Sequence, residues 1–394
     1  MKRDEKMFLV DKPYISDFLK RTLKESSIPV VKTEIALELD LLNGTNLIDE
    51  YQVIEQIRNS NEPIIYTTSE NAINWISKNL SFTGLPEKID LFKNKFKFRE
   101  LTKSIFPDLF YKKVKTEDLR NIKFDELPLP FIIKPTVGFF SLGVYIVNNS
   151  CDWERTIKSI YHEIENGKVL YPEVVMNTKS FIIEQIITGE EFAIDAYYDS
   201  EGEPVIMGIH KHIFSSDVDV SDRVYTTSKM IIENNIEEFT EFVGKIGKLA
   251  KVKNFPVHIE LRRNSEGILL PIEVNPMRFG GWCTTADLTN HAFGFNPYLY
   301  YYDQKVPDWS EILKDKEGKL FSIVILDNST GVKDDEIKSF DYDKLLSKFE
   351  KPLELRKIDI KKYPLFGFVF IETREDNFSE LEFILHSDLK EFVS

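Results

Sequence analysis

The chain has 394 residues, with 51 Lys and Arg against 65 Asp and Glu and a formal charge of −14. Its 30 Phe and 16 Tyr, within a 42% hydrophobic content, exclude a disordered chain and supply core material for roughly two to three domains. The acidic balance excludes a general nucleic-acid binder, because affinity for the phosphate backbone is mostly cationic.

The opening MKRDEKMFLV has no apolar stretch of signal-peptide length, and no run approaches the roughly 18 apolar residues of a membrane span. Residues 7–10 read as a strand, 15–24 as a helix with Phe18, Leu19 and Leu23 on one face, and 28–31 as a second strand. Residues 63–67 (PIIYT) are a buried strand. Ser69 then caps a helix with Ile73, Trp75, Ile76 and Leu80 as its apolar positions. This alternation predicts a small parallel α/β unit over residues 1–88. It has no Gly-x-Gly-x-x-Gly turn and so does not read as a dinucleotide-binding domain.

Pro86 opens a basic, helix-prone segment that closes at Pro107. Residues 131–134 and 143–147 are strands around a glycine-bearing turn, 180–187 and 192–198 are two more around Thr188-Gly189, and 203–211 continues the sheet. Residues 232–252 are helical, with Phe239, Phe242, Ile246 and Leu249 on one face. Strands 257–262 and 269–274 form a hairpin around Asn264-Ser265-Glu266-Gly267. From about residue 311 a last α+β piece follows, with a strand at 321–326, a helix near 342–349, strands near 353–359 and 365–372, and a terminal helix. Cys151 and Cys283 are too few for a disulfide framework and lack metal spacing, so a cytoplasmic protein is expected.

Four segments carry chemistry. In the first, 131–144, Lys134 ends an apolar strand before a loop with Gly138, Ser141 and Gly143; loop N–H groups and an ammonium can converge there on one anion. A hairpin whose lysine only reaches solvent has the same pattern. In the second, Glu184 ends the apolar strand Phe181-Ile-Ile, where an unpaired carboxylate is costly, and Gly189 turns Glu191 back toward it. An acidic hairpin tip with solvated carboxylates is the other meaning.

In the third, Glu260 and Glu273 sit on the two strands of one hairpin, and Asn275 shares the face of Glu273 by the period of two. Two carboxylates and an amide oxygen form a hard site of the kind Mg2+ takes with nucleotide phosphates, whereas facing carboxylates without a cation repel. In the fourth, Arg278 can clamp a phosphoryl group, and Gly280-Gly281 lets backbone N–H groups approach an oxyanion.

In this order and at these separations the four segments resemble the ATP-grasp superfamily, over about residues 90–300. The resemblance implies an α+β / α/β ATP-grasp fold: a Rossmann-like pre-grasp domain at 1–88, a small grasp subdomain with the lysine strand at 89–184, a large one with ribose and Mg sites at 185–310, and a C-terminal α+β subdomain at 311–394. It implies that Lys134 binds the α/β phosphates, with Lys95 as the second phosphate lysine against the competing Lys93 and Lys97. Gly138, Ser141 and Gly143 would lie in the lid loop. Glu184 and the backbone of Gln185 to Ile187 would face adenine, within a Glu-x-x-x-x-Gly-x-Glu adenosine hairpin that ends at Glu191 on the ribose. Glu260, Glu273 and Asn275 would bind two Mg2+ ions, with Mn2+ as a substitute. Arg278 would stabilise the transferring phosphoryl, with Gly281 as oxyanion donor, and Lys211 is a further candidate for the γ-phosphate.

Two departures stand out. Phe139 and Phe140 occupy the lid where many members have glycines, and Arg278 follows Asn275 by three residues instead of two, with Met277 inserted. His210 and His212 alternate on a strand without a third metal ligand, so a core-edge or solvated pair is expected.

The resemblance implies an ATP- and Mg-dependent ligase that joins a carboxylate to an amine through an acyl phosphate, acting on small molecules, with a homodimer as an assembly the reading allows. A carboxylase, a small-molecule kinase, a non-catalytic nucleotide-binding module and a plain structural α/β protein are the alternatives. Arg223 is either a carboxylate anchor for substrate or a surface arginine.

Overall fold

The computed structural model describes residues 6–60, 63–138, 143–165, 177–216 and 221–394. Near the N-terminus, β1 (Lys6–Leu9), β2 (Val30–Lys32), β3 (Leu47–Asp49) and β4 (Ile64–Thr67) pair in parallel in the order β3-β2-β1-β4. Parallel neighbours need crossovers, and helices Asp17–Glu25, Glu34–Glu38 and Glu50–Arg58 supply them. Ser16 and Thr33 cap the first two by accepting from Leu19 N and Ala36 N. β3 and the last two helices are not among the elements expected from spacing; β3 has only three residues, too few to show a period. The order reverses between β1 and β4, which opens a crevice at their carboxyl ends, where α/β sheets bind ligands.

The basic segment after Pro86 is two helices, Leu85–Lys93 and Lys95–Thr102, and not one. Asn94 leaves helical geometry (ψ 104°), and its side chain caps the second helix at Lys97 N. A second sheet, antiparallel throughout, holds β5 (Tyr111–Lys115), β6 (Phe131–Val137), β7 (Tyr145–Val147) and β8 (Asn177–Gln185) in the order β5-β8-β6-β7. Its own core includes Phe131, Ile133, Val147 and Ile183, with Trp153 and Ile160 of helix Ser150–Glu165.

The third sheet has eight antiparallel strands: β9 (Glu190–Tyr198), β10 (Pro204–Ile213), β11 (Val224–Thr227), β12 (Phe255–Arg263), β13 (Leu269–Pro276), β14 (Lys319–Asp327), β15 (Pro352–Lys357) and β16 (Leu365–Arg374). Their order is β13-β12-β9-β10-β11-β14-β16-β15. The C-terminal strands thus extend the sheet begun by β9–β13, through the β11–β14 pair. Helix Lys229–Ala250 packs on β10 and begins at Ser228, whose side chain accepts from Ile231 N.

One expectation is overturned. The adenosine hairpin over residues 180–198 is not a hairpin, because β8 and β9 belong to different sheets. Both edges of β8 are taken by β5 and β6, and both edges of β9 by β10 and β12, so neither can pair with the other. Gly189 (φ +127°) makes the crossing, where a Cβ would lie 2.0 Å from Arg263 O. Among the described residues no helix is long and apolar enough to cross a membrane.

Candidate active site

Strand alternation builds a polar face on the third sheet. Asp195 on β9 stands opposite His258 on β12, and His258 opposite Asn275 on β13. Two residues along, Ala193 faces Glu260 and Glu260 faces Glu273; two further along, Glu191 faces Arg262. β10 adds His210 opposite Ala193. The intervening residues Phe192, Ile194, Ile259, Leu261 and Val274 are buried in the apolar core. A bulge between Glu260 and Leu261 interrupts the β12–β13 pairing next to Pro271, which has no N–H to give the ladder. The carbonyls of Pro271 and Ile272 instead accept from Arg99, at 2.8 and 3.2 Å.

The hairpin therefore brings Glu260 and Glu273 directly opposite each other. Burial raises Glu260 well above the usual carboxylate range, and the charges of Glu273, Glu191 and Asp222 push the same way. Burial would raise Glu273 as well, but Lys95, 2.9 Å away, with Lys134 and Lys93 behind it, holds that group well below its usual value. Asn275 Nδ2 donates to Glu273 Oε1 at 3.3 Å, which leaves its Oδ1 as a third oxygen. Two opposed carboxylates and an amide oxygen suit a hard divalent cation, which would remove the repulsion that Glu260 feels. No group of three His, Cys, Asp or Glu suited to a metal occurs among the described residues.

The second sheet contributes a buried charge triad. Lys134 Nζ lies 3.0 Å from Glu184 Oε2, and Arg99 Nε lies 2.9 Å from Oε1. Burial alone would raise Glu184, yet Arg99 and Lys134 bring it down to about 2. Burial lowers Lys134, and Glu184 opposes that shift. Gln185 is tied to Phe110 through both backbone and side chain. Ile187 O accepts from Arg262 Nη1 at 2.6 Å. Glu191 is held on both oxygens, by His212 Nδ1 at 2.9 Å and by Arg262 Nε at 2.8 Å.

Of the three competing lysines, Lys95 faces the carboxylates and also donates to Gly138 O at 3.3 Å. Lys97 pairs with Asp90 at the surface, and Lys93 is buried against Glu70. Lys211 pairs with Glu190, next to the His-bearing positions but on the opposite face of β10. Arg223 is not a surface arginine: it is buried and ion-paired to Asp327 at 2.9 Å, with Ser329 Oγ at 2.8 Å. His210 and His212 are both buried, and neither is solvated. Gly143 takes φ +70°. Phe139, Phe140 and Ser141 lie outside the described residues.

Arg278 leaves the end of β13 and meets the N-terminal sheet, with Nη2 3.0 Å from Glu70 Oε1. Gly280 N donates to Asp195 Oδ1 at 3.0 Å, and that oxygen also accepts from His258 Nδ1 at 2.7 Å. The next turn, Gly281–Cys283, is left-handed at Trp282 and Cys283 and leads into helix Thr284–Phe293. From β15, the buried Arg356 donates to the carbonyls of Trp282 and Cys283 and pairs with Asp287 and Glu354, both at 2.5 Å.

Sequence reasoning missed Glu70, Arg99, Asp195, Arg262 and Asp222. Arg99 follows Lys95 by four residues and so shares its helix face, and Arg262 continues the His258–Glu260 alternation; those spacings were the available signals. Glu70 carried none beyond its place in the first turn after Ser69.

Residues 127–286 match the family model of the ATP-grasp domain. No curated protein sequence matches the chain. Among solved structures, the fold is similar to that of an L-amino acid ligase from Bacillus licheniformis, at 18% identity over 100% of this chain and 99% of that one, with a TM-score of 0.69. It is also similar to biotin carboxylase from Campylobacter jejuni (13% identity, 94% and 87% covered, TM-score 0.62) and to N5-carboxyaminoimidazole ribonucleotide synthetase from Thermus thermophilus (13% identity, 98% and 99% covered, TM-score 0.62). At these identities the likeness to the solved structures establishes the fold, over essentially the whole chain.

Proposed function

We propose that the chain, whose residues 127–286 match the ATP-grasp domain and whose fold is shared with ATP-grasp enzymes over its whole length, is an ATP- and Mg-dependent ligase joining a small-molecule carboxylate to an amine. The observation that carries this reading is the direct opposition of Glu260 and Glu273 with Lys95 beside them, acids and a cation around one space, as a metal-bound polyphosphate needs. The whole-length likeness to an L-amino acid ligase favours ligation, with amino acids as the first substrates to test.

Bound Mg·ATP would supply a phosphoryl group that turns the substrate carboxylate into an acyl phosphate with loss of ADP. The carboxylate oxygen would bond to phosphorus as the bond to ADP breaks; the unprotonated amine would then bond to the acyl carbon as phosphate leaves, and the nitrogen would give up one proton to the departing phosphate. The chain's part is placement and charge balance, since phosphoryl transfer leaves the protein little covalent work. Glu260, Glu273 and Asn275 would hold the metal, two ions in the fullest reading. Lys134 and Lys95 would orient phosphates, with Gly138 and Gly143 in the segment that follows Lys134. Glu184, Gln185 and Ile187 would frame the base, and Glu191, fixed by His212 and Arg262, would take the ribose hydroxyls. Arg278 would neutralise the transferring phosphoryl, and Gly281 N–H would meet the oxyanion. In this reading residues 89–184 and 185–310 are the two halves that close on the nucleotide, 1–88 adds the switch-point crevice, and 311–394 buttresses the acceptor side.

A phosphate-release screen of paired amino acids and small carboxylates with Mg·ATP tests the proposal, with product mass to identify the bond formed. A pair that releases phosphate and yields a condensed product is expected, and Glu273→Ala should abolish ADP formation. Wild-type rates in that variant would sink the metal assignment. The carboxylase reading rests on the likeness to biotin carboxylase and to N5-carboxyaminoimidazole ribonucleotide synthetase; bicarbonate-dependent ADP release would select it.

A further inference from the structure

Met277, the residue that delays Arg278 by one position, takes a left-handed conformation (φ +69°), rare for a residue with a side chain. Its N–H donates to Pro256 O at 2.7 Å, and its carbonyl accepts from Thr67 N at 2.8 Å and from Thr67 Oγ1 at 3.2 Å. On the other side of Arg278, Phe279 N donates to Tyr66 Oη at 3.2 Å. Both neighbours of the arginine are thus fastened to β4, and the extra residue is absorbed in a turn stapled between two sheets.

Glu70 stands just beyond the carboxyl end of β4, at the crevice where the strand order reverses. Its backbone is set by Ser69 Oγ, which accepts from Asn71 N at 3.0 Å, and by Asn71 Nδ2, which donates to Lys12 O at 2.9 Å. One carboxylate oxygen meets Arg278 Nη2 at 3.0 Å, and the other lies against the buried Lys93. Arg278 Nη1 donates to Phe279 O at 2.8 Å. These bonds occupy two of the five guanidinium donors and fix the plane of the group, so the remaining donors have a set direction. Both partners are about nine-tenths enclosed, at 11% side-chain exposure each.

We propose that Glu70 is a positioning residue: from the N-terminal sheet it aims Arg278 at the terminal phosphoryl group of the bound nucleotide. This rests on the ATP-dependent reading above and deepens it, because without Glu70 the guanidinium would keep only its bond to Phe279 O in its own turn. Glu70 itself touches no substrate. With Oε1 taken by Arg278 and Oε2 enclosed against the buried Lys93, it acts through the arginine.

Calorimetric titration of the full chain with Mg·ADP and with the Mg complex of the non-hydrolysable β,γ-imido analogue of ATP tests this. The wild type should bind the analogue more tightly than ADP. Glu70→Gln should weaken the analogue by about tenfold and ADP by less than about twofold, the scale expected for removing one charge-assisted hydrogen bond to the third phosphate. Arg278→Gln should do the same, and the double variant should lose no more than either single one. Glu70→Asp keeps the charge but withdraws it by one methylene; it should fold with a wild-type melting profile and show a smaller loss of the same selectivity. Equal weakening of both nucleotides, an additive double variant, or unchanged selectivity in both Glu70 variants would overturn the positioning role. So would a wild type that does not discriminate the two nucleotides. A wild type that binds neither would instead remove the nucleotide reading on which the role rests.

Discussion

Glu184→Gln removes one charge from a triad whose other members, Arg99 and Lys134, are themselves buried, at 2% and 7% side-chain exposure. The displacement of Glu184 from its usual 4.5 to about 2 corresponds to about 3 kcal/mol in favour of the charged form, at roughly 1.4 kcal/mol per unit. The amide keeps the shape and one acceptor but leaves two buried cations facing a neutral group. Breaking a buried pair in this way costs about 3–5 kcal/mol. Because the folded value is depressed, the carboxylate's stabilisation is fully present above about pH 4.5 and is lost as pH falls toward 2. Urea unfolding, followed by circular dichroism at pH 7 and at steps down to pH 3, measures both quantities. The wild type should exceed Glu184→Gln by about 3–5 kcal/mol at pH 7, and the gap should narrow steadily below pH 4.5. A gap under about 1 kcal/mol at pH 7, or one that stays constant on acidification, would show that Glu184 is not held ionised by Arg99 and Lys134.

Glu260→Gln should leave the metal-free protein at least as stable as wild type, because it removes the repulsion with Glu273, while Mn2+ affinity measured by electron paramagnetic resonance falls about tenfold or more; undiminished Mn2+ binding would place the cation elsewhere. Gly189→Ala forces a Cβ to within 2.0 Å of Arg263 O at φ +127°, so a thermal melt should show a loss of about 2 kcal/mol or more, and a wild-type melt would mean that the crossing can take another path. Arg356→Gln strands the buried Asp287 and should cost about 3–5 kcal/mol in denaturant, with Mg·ADP affinity within about twofold of wild type. A large loss of ADP affinity would mean that the C-terminal strands shape the nucleotide site as well as the Gly281–Cys283 turn.

The sequence alone determined which residues share a face. Period-two spacing placed His258 and Glu260 together on one strand and Glu273 with Asn275 on the next, and the short Asn264–Gly267 turn left antiparallel pairing as the simplest way to set the two glutamates against each other. The strands at 131–134 and 203–211 and the long helix were legible for the same reason, since burying one side of a regular element imposes a period that local spacing records.

Tertiary structure decided what spacing cannot encode: which elements meet across sheets. Residues 180–198 read as a hairpin because two apolar strands flank a glycine turn, but whether consecutive strands pair depends on which edges other strands have already filled. Arg99, Glu70 and Arg356 lie 85, 208 and 69 positions from the partners they hold, Glu184, Arg278 and Asp287. No local periodicity records such distances; only the packing of the sheets against one another brings those charges together. The sequence thus declared an acidic, aromatic-rich chain with paired carboxylates. The fold decided which of its cations those carboxylates would face.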